Sequence, residues 1–193
     1  SSLTAISIGS TVKAVDMSEM FANCDNLTSA ITLDYTACLN LFETFKGCQA
    51  LTELNVSNTA LVENMESTFL NCSSLNASTT LNLNCSACTT LDKTFENCSS
   101  LTKLTIFNTA NVESIIDTFT NCKNLGGLSS LTFDCAKITS LEDTFSDMTN
   151  LGTLIISNTS NVTSMSGAFR NCSSLLPASS FTLVCTANES LFE

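Results

Sequence analysis

Apolar residues return along this chain in a fixed order: Leu-x-x-Leu-x-Leu, then a wider-spaced run ending on Phe-x-x-Cys-x-x-Leu. The phenylalanine stands at Phe21, Phe45, Phe69, Phe95, Phe119, Phe145 and Phe169, in steps of 24, 24, 26, 24, 26 and 24 residues. A cysteine follows three positions later at Cys24, Cys48, Cys72, Cys98, Cys122 and Cys172, and Met148 takes that place after Phe145. A fixed period of this size marks a solenoid, in which each repeat is one coil stacked on its neighbours.

Two local patterns divide each coil. Val62, Met65, Phe69, Cys72 and Leu75 fall at steps of three and four, which predicts a short helix or helical turn with one buried stripe. Leu51, Leu54 and Val56, and again Leu101, Leu104 and Ile106, end in apolar–polar alternation, the pattern of a short strand with one face buried. The order never changes, so the strands must be parallel, with the helical segments on the opposite side. The expected fold is therefore an α/β solenoid of about eight coils of 24–26 residues, its strands centred near Ser7, Thr32, Asn55, Asn82, Thr105, Thr132, Ile155 and Thr182. Alternate coils carry two extra residues before the strand, as in 75–81 and 175–181, so the true unit is 50 residues. Pro177, the only proline, lies in one of these insertions, where a loop accommodates it.

The combination of Leu-x-x-Leu-x-Leu with Phe-x-x-Cys-x-x-Leu resembles the BspA-like leucine-rich repeats of bacterial and protist surface proteins. The run 161–175, Asn-Val-Thr-Ser-Met-Ser-Gly-Ala-Phe-Arg-Asn-Cys-Ser-Ser-Leu, is the closest match to that pattern. The chain departs from it in its strict 24/26 alternation and its near absence of proline. The resemblance covers nearly all of residues 1–193. It implies one leucine-rich-repeat solenoid on an extracellular or cell-surface protein used in adhesion or recognition, with no catalytic residues to carry over. Neither end carries a polar capping repeat, so the expectation is a segment of a longer array or ends that stack on other copies.

Charge narrows the partners. Eighteen acidic residues against seven basic ones give a net charge of −11, and the basic ones are dispersed. Nucleic acid and anionic membrane surfaces need clustered Lys and Arg, so neither is expected. No apolar run approaches ~18 residues, so no membrane insertion is expected in this segment.

Catalytic chemistry finds little to build on. There is no histidine, which removes Ser-His and Cys-His nucleophile pairs, and no glycine-rich phosphate loop. The acidic residues Glu63 and Glu66, Glu113 and Asp117, and Glu142 and Asp143 recur with the coil, as charges in the first turn of a short helix would. No enzyme activity, cofactor or metal is expected; Cys85-Ser-Ala-Cys88 is a lone C-x-x-C without the further ligands a zinc site requires.

The eleven cysteines are odd in number. Stacked at one level of successive coils, the Phe-linked set falls within Cα reach of disulfides, yet Met148 in the same slot favours a buried column of thiols. A second series, Cys85, Cys135 and Cys185, shares its slot with Tyr35.

Asn26, Asn76, Asn161 and Asn188 are the better candidates for N-glycosylation, since their Asn-x-Ser/Thr motifs are less tied to the repeat. Asn58, Asn108 and Asn158 recur every 50 residues and are expected to serve turns. The candidate contact face is the outward side of the strands: Thr32, Asn55, Asn82, Thr105, Thr132, Ile155 and Thr182 as one column, with Phe107 and Val184 beside it. Its expected partner is a protein or glycan ligand; the alternative is a filament subunit meeting other copies end to end.

Overall fold

The computed structural model describes residues 2–8, 10–28, 30–76, 81–126, 130–151 and 154–175. They form a parallel β-solenoid. Its strands are β1 (Ile31–Asp34), β2 (Leu54–Ser57), β3 (Leu81–Asn84), β4 (Leu104–Phe107), β5 (Ser130–Asp134) and β6 (Ile155–Ser157). β1 pairs with β2, and β3, β4, β5 and β6 follow one another in a second sheet, every pairing parallel. Alternation sets the faces: Leu33, Leu54, Leu83, Ile106 and Phe133 turn inward and are buried, while Thr32, Asn55, Asn82 and Thr132 are exposed.

Six strands are described where the repeat predicts eight. The stretch around Ser7 is not a strand; next to it the Asp34 amide donates to Thr11 Oγ1 at 2.8 Å. The stretch around Thr182 lies outside the described residues.

The expected helical segments are also absent among the described residues, whose only helices are two three-residue 3-10 turns, Thr109–Asn111 and Thr159–Asn161. The hydrogen bonds explain why. The amides of Met17, Glu19, Phe21 and Asn23 donate across to Asn40, Phe42, Thr44 and Lys46 of the next coil at 2.6–3.0 Å. Between them, Met20, Ala22 and Cys24 close back on Met17, Glu19 and Phe21. Half the amides thus stitch coils together, whereas an α-helix would turn every amide onto its own segment. Two columns of left-handed residues keep the chain in this form. One comprises Asn23, Gly47, Asn71, Asn97, Asn121, Asp147 and Asn171, with φ between 58° and 73°; the other comprises Glu19, Glu43, Ser67, Lys93, Asp117, Asp143 and Gly167. The charges at Asp117 and Asp143 therefore occupy left-handed turns, not a helix N-terminus.

The core is a column of phenylalanines. Rings from Phe21 to Phe169 stack on one another with centroids 5.2–5.8 Å apart and planes within 20° of parallel. Phe133 enters edge-on between Phe119 and Phe145, at 5.9 and 6.1 Å. Further parallel bridges, Asp16 to Asn40, Asn40 to Asn64, Asn64 to Thr90 and Thr90 to Ser114, tie the coils between the strand and turn faces.

Candidate functional site: the strand face

The outward strand residues form ladders, but not the single straight column that the repeat spacing suggests. Thr32 lies level with Asn55, Asn82 with Thr105, and Thr132 with Ile155. Between β4 and β5 the register steps: Thr105 pairs with Ser130 and Ile106 with Leu131, so Thr132 falls beside Phe107. At the same junction, the Asp134 amide donates to Thr109 Oγ1 at 2.8 Å. Two junctions earlier, between β2 and β3, Asn84 N donates to Thr59 Oγ1 at 2.8 Å, and that hydroxyl donates to Asn84 O at 3.1 Å. A threonine side chain stands there where a backbone rung would be.

Each of these junctions opens a groove. The first, about 410 Å³, is lined by Val56, Ser57, Asn58, Thr59, Ala60, Asn82, Asn84 and Phe107. The second, about 470 Å³, is lined by the residues 50 positions later, Ile106, Phe107, Asn108, Thr109, Ala110, Thr132, Asp134 and Ser157, together with Thr105. Every wall position recurs, and Phe107 borders both grooves with 41% of its surface exposed. A smaller cavity of about 210 Å³ near the N-terminus repeats part of the pattern with Ile6, Ser7, Ala30, Ile31 and Thr32.

The grooves' end walls are braced by side-chain amides. Asn58, Asn108 and Asn158 are left-handed, and their Nδ2 atoms donate to Asp34 Oδ1 at 3.1 Å, Asn84 Oδ1 at 3.1 Å and Asp134 Oδ1 at 2.9 Å. Thr36, through its hydroxyl and its amide, and Asn58 hold the Asp34 carboxyl below its ordinary pKa.

Of the candidate contact residues, Thr32, Asn55, Asn82, Phe107, Thr132 and Ile155 are exposed and Thr105 is half-buried. Thr182 and Val184 lie outside the described residues. Asn26, Asn76 and Asn161 are exposed, with Asn161 Nδ2 donating to Ala136 O at 2.7 Å; Asn188 lies outside the described residues.

The Phe-linked cysteines are thiols with a structural task. Cys48, Cys72, Cys98, Cys122 and Cys172 each donate to the carbonyl of the preceding coil's phenylalanine, at 2.9–3.1 Å. Burial pushes the Cys48 thiol up to about 12 and the Cys172 thiol up to about 11.

One column went unread in the sequence. Thr44, Thr68, Thr94, Thr118 and Thr144 precede the phenylalanines and are buried. Each of their hydroxyls lies 2.8–3.0 Å from a carbonyl of the preceding coil, as Thr94 does with Met65 O and Thr118 with Leu91 O. The recurring Thr-Phe dipeptide was the available signal.

A family model described as "Mycoplasma protein of unknown function, DUF285" matches residues 4–104, 36–150 and 119–182. No curated protein matches the chain. Among solved structures, the crystal structure of a T. pallidum leucine-rich repeat protein is similar at 17% identity with a TM-score of 0.46, covering 90% of this chain and 78% of that one. At that level of overlap, the architecture rests on the coil geometry described above.

Proposed function

The chain belongs to the family described as Mycoplasma proteins of unknown function, DUF285, and we propose that it is a non-enzymatic recognition scaffold, displayed outside the cell, whose strand face binds an extended, uncharged carbohydrate. The observation that carries this reading is the groove repeated at 50-residue intervals, with the exposed Phe107 ring as a shared wall. Amide and hydroxyl groups from Asn58, Asn82, Asn84, Asn108 and Thr132 supply directional hydrogen bonding, and an aromatic face supplies apolar contact. That is the mixture of a largely apolar site with a few placed polar groups by which small ligands are held.

The strongly acidic chain disfavours a polyanionic ligand. The exposed positions of Asn26, Asn76 and Asn161, together with the BspA-like repeat pattern, support a surface location and an adhesive role. The filament alternative turns on the outermost coils, and residues 176–193 lie outside the described residues. Binding to an array of neutral oligosaccharides tests the proposal. The wild type should retain a subset that Phe107→Ala loses by tenfold or more, while Leu61→Ala, exposed elsewhere, leaves binding unchanged. An array with no retained neutral glycan would refute it.

A further inference from the structure

The thiols of Cys48, Cys72, Cys98, Cys122 and Cys172 are each committed to the carbonyl of the preceding coil's phenylalanine, but one pair of cysteines is arranged differently. Cys85 and Cys88 are both fully buried and close one turn, with Cys88 N donating to Cys85 O at 3.1 Å. A turn of this kind brings its first and fourth Cα atoms within ~7 Å, inside the range from which a disulfide can form with modest adjustment. Among the described residues, the backbone acceptor of Cys85 Sγ is Leu83 O at 4.0 Å, a marginal contact. Cys88 Sγ reaches Thr90 O at 3.1 Å, and the neighbouring Cys88 thiol holds the Cys85 thiol above its ordinary pKa.

This coincidence is specific to one coil. The two slots hold Tyr35 and Cys38 in one repeat and Cys135 and Ile138 in another, so a sulfur pair arises only at Cys85 and Cys88 among the described residues. The stacked cysteines, in contrast, are held to separate carbonyls, Cys72 to Phe45 O and Cys98 to Phe69 O.

We propose that Cys85 and Cys88 form a cross-turn disulfide when the chain folds in an oxidising compartment, and that the closing coils then seal it. The co-reactant is a small-molecule disulfide. The thiolate of one cysteine attacks it and releases one thiol. The second cysteine then displaces the other half, so two S–H bonds are lost, one S–S bond forms, and two electrons and two protons leave on the two released thiols. Sealing follows from burial: both residues are fully buried in the folded chain, so an incoming thiolate has no access to either sulfur of the bridge. The bridge closes so small a loop that little unfolded-chain entropy is removed, so stability is a poor readout and covalent mapping the right one.

Denatured, reduced protein is refolded with oxidised and reduced glutathione, unfolded again under acid, and alkylated. Cleavage after lysine releases residues 47–93, which contain Cys48, Cys72, Cys85 and Cys88. The expected fragment carries alkyl groups on Cys48 and Cys72 only and is two hydrogens lighter than its reduced form. Alkylation of all four cysteines, or a bridge involving Cys48 or Cys72, would overturn the proposal. In Cys85→Ser the remaining three cysteines should all be alkylated; a new bridge from Cys88 to Cys48 or Cys72 would show that the pairing is not selective and would overturn it as well.

Discussion

Raising the pH should unfold this protein through its thiols. Cys72, Cys98 and Cys122 are fully buried, and burial holds each thiol well above its ordinary pKa. A group whose folded pKa is raised contributes stability that is complete below its unfolded value. That stability is lost as pH climbs from the unfolded value, about 8.5 for cysteine, toward the folded one. One pH unit into that window, each such thiol removes about 1.4 kcal/mol. Three together remove about 4 kcal/mol from a domain whose whole stability is on the order of 5–15 kcal/mol. Cys48 and Cys135, each pushed up to about 12, act in the same direction. Urea unfolding at about pH 7.5 and about pH 9.5, with a phosphine reductant to keep all thiols reduced, reads this directly as a fall in midpoint at constant m-value. Cys98→Ala removes one titrating group and should flatten the slope by about 1.4 kcal/mol per pH unit, whatever cavity it leaves at neutral pH. A midpoint unchanged up to about pH 9.5 would refute the burial of the thiol column.

Other expectations are local. Phe119 touches Phe95, Phe133 and Phe145 at 5.7–5.9 Å and is fully buried, so Phe119→Ala should lower stability by ~3–5 kcal/mol in chemical denaturation. The Tyr35 hydroxyl is buried without a hydrogen-bond partner, so Tyr35→Phe should leave stability unchanged or raise it by up to ~1–3 kcal/mol; a clear loss would mean the hydroxyl has a partner. Asn97 is left-handed at φ 63°; its Nδ2 donates to Asn71 Oδ1 and its Oδ1 accepts from Asn121 Nδ2, both at 2.8 Å. Asn97→Gly keeps the backbone and loses the amides, while Asn97→Ala loses both. The alanine variant should therefore melt below the glycine one by an amount equivalent to ~1–2 kcal/mol.

The stacked coils, their parallel strands and the phenylalanine column were legible because each depends on a buried apolar position, and burial repeats in the letters. The non-strand stretch around Ser7 and the absence of a helical wall among the described residues were not. Steps of three and four between Val62, Met65, Phe69 and Cys72 satisfy a helix, and they equally satisfy successive turns that bury the same side chains. What separates the two is the destination of the amides, and the residue that settles it is the asparagine before each cysteine. Asn tolerates the left-handed region better than most side chains, so a column of Asn with Gly47 in the same slot is a backbone signal hidden in a polar position. Glu19, Glu43 and Lys93 take up the same conformation with no such hint.

The register step in the strand face was missed for a related reason. Spacing alone places Thr105 and Thr132 in one column, but the register steps between β4 and β5, where the Thr109 hydroxyl accepts from the Asp134 amide as the Thr59 hydroxyl does from Asn84 two junctions earlier. The consequence reaches function. The coils repeat every ~4.8 Å, whereas the grooves recur only every second coil, near ~10 Å. A ligand that fits one groove and continues along the solenoid axis meets the next only if its own repeat matches that longer step. Affinity for such a polymer should rise with each 50-residue unit it spans, by linking one binding event to the next, and a ligand with a single-coil repeat gains nothing beyond its first groove.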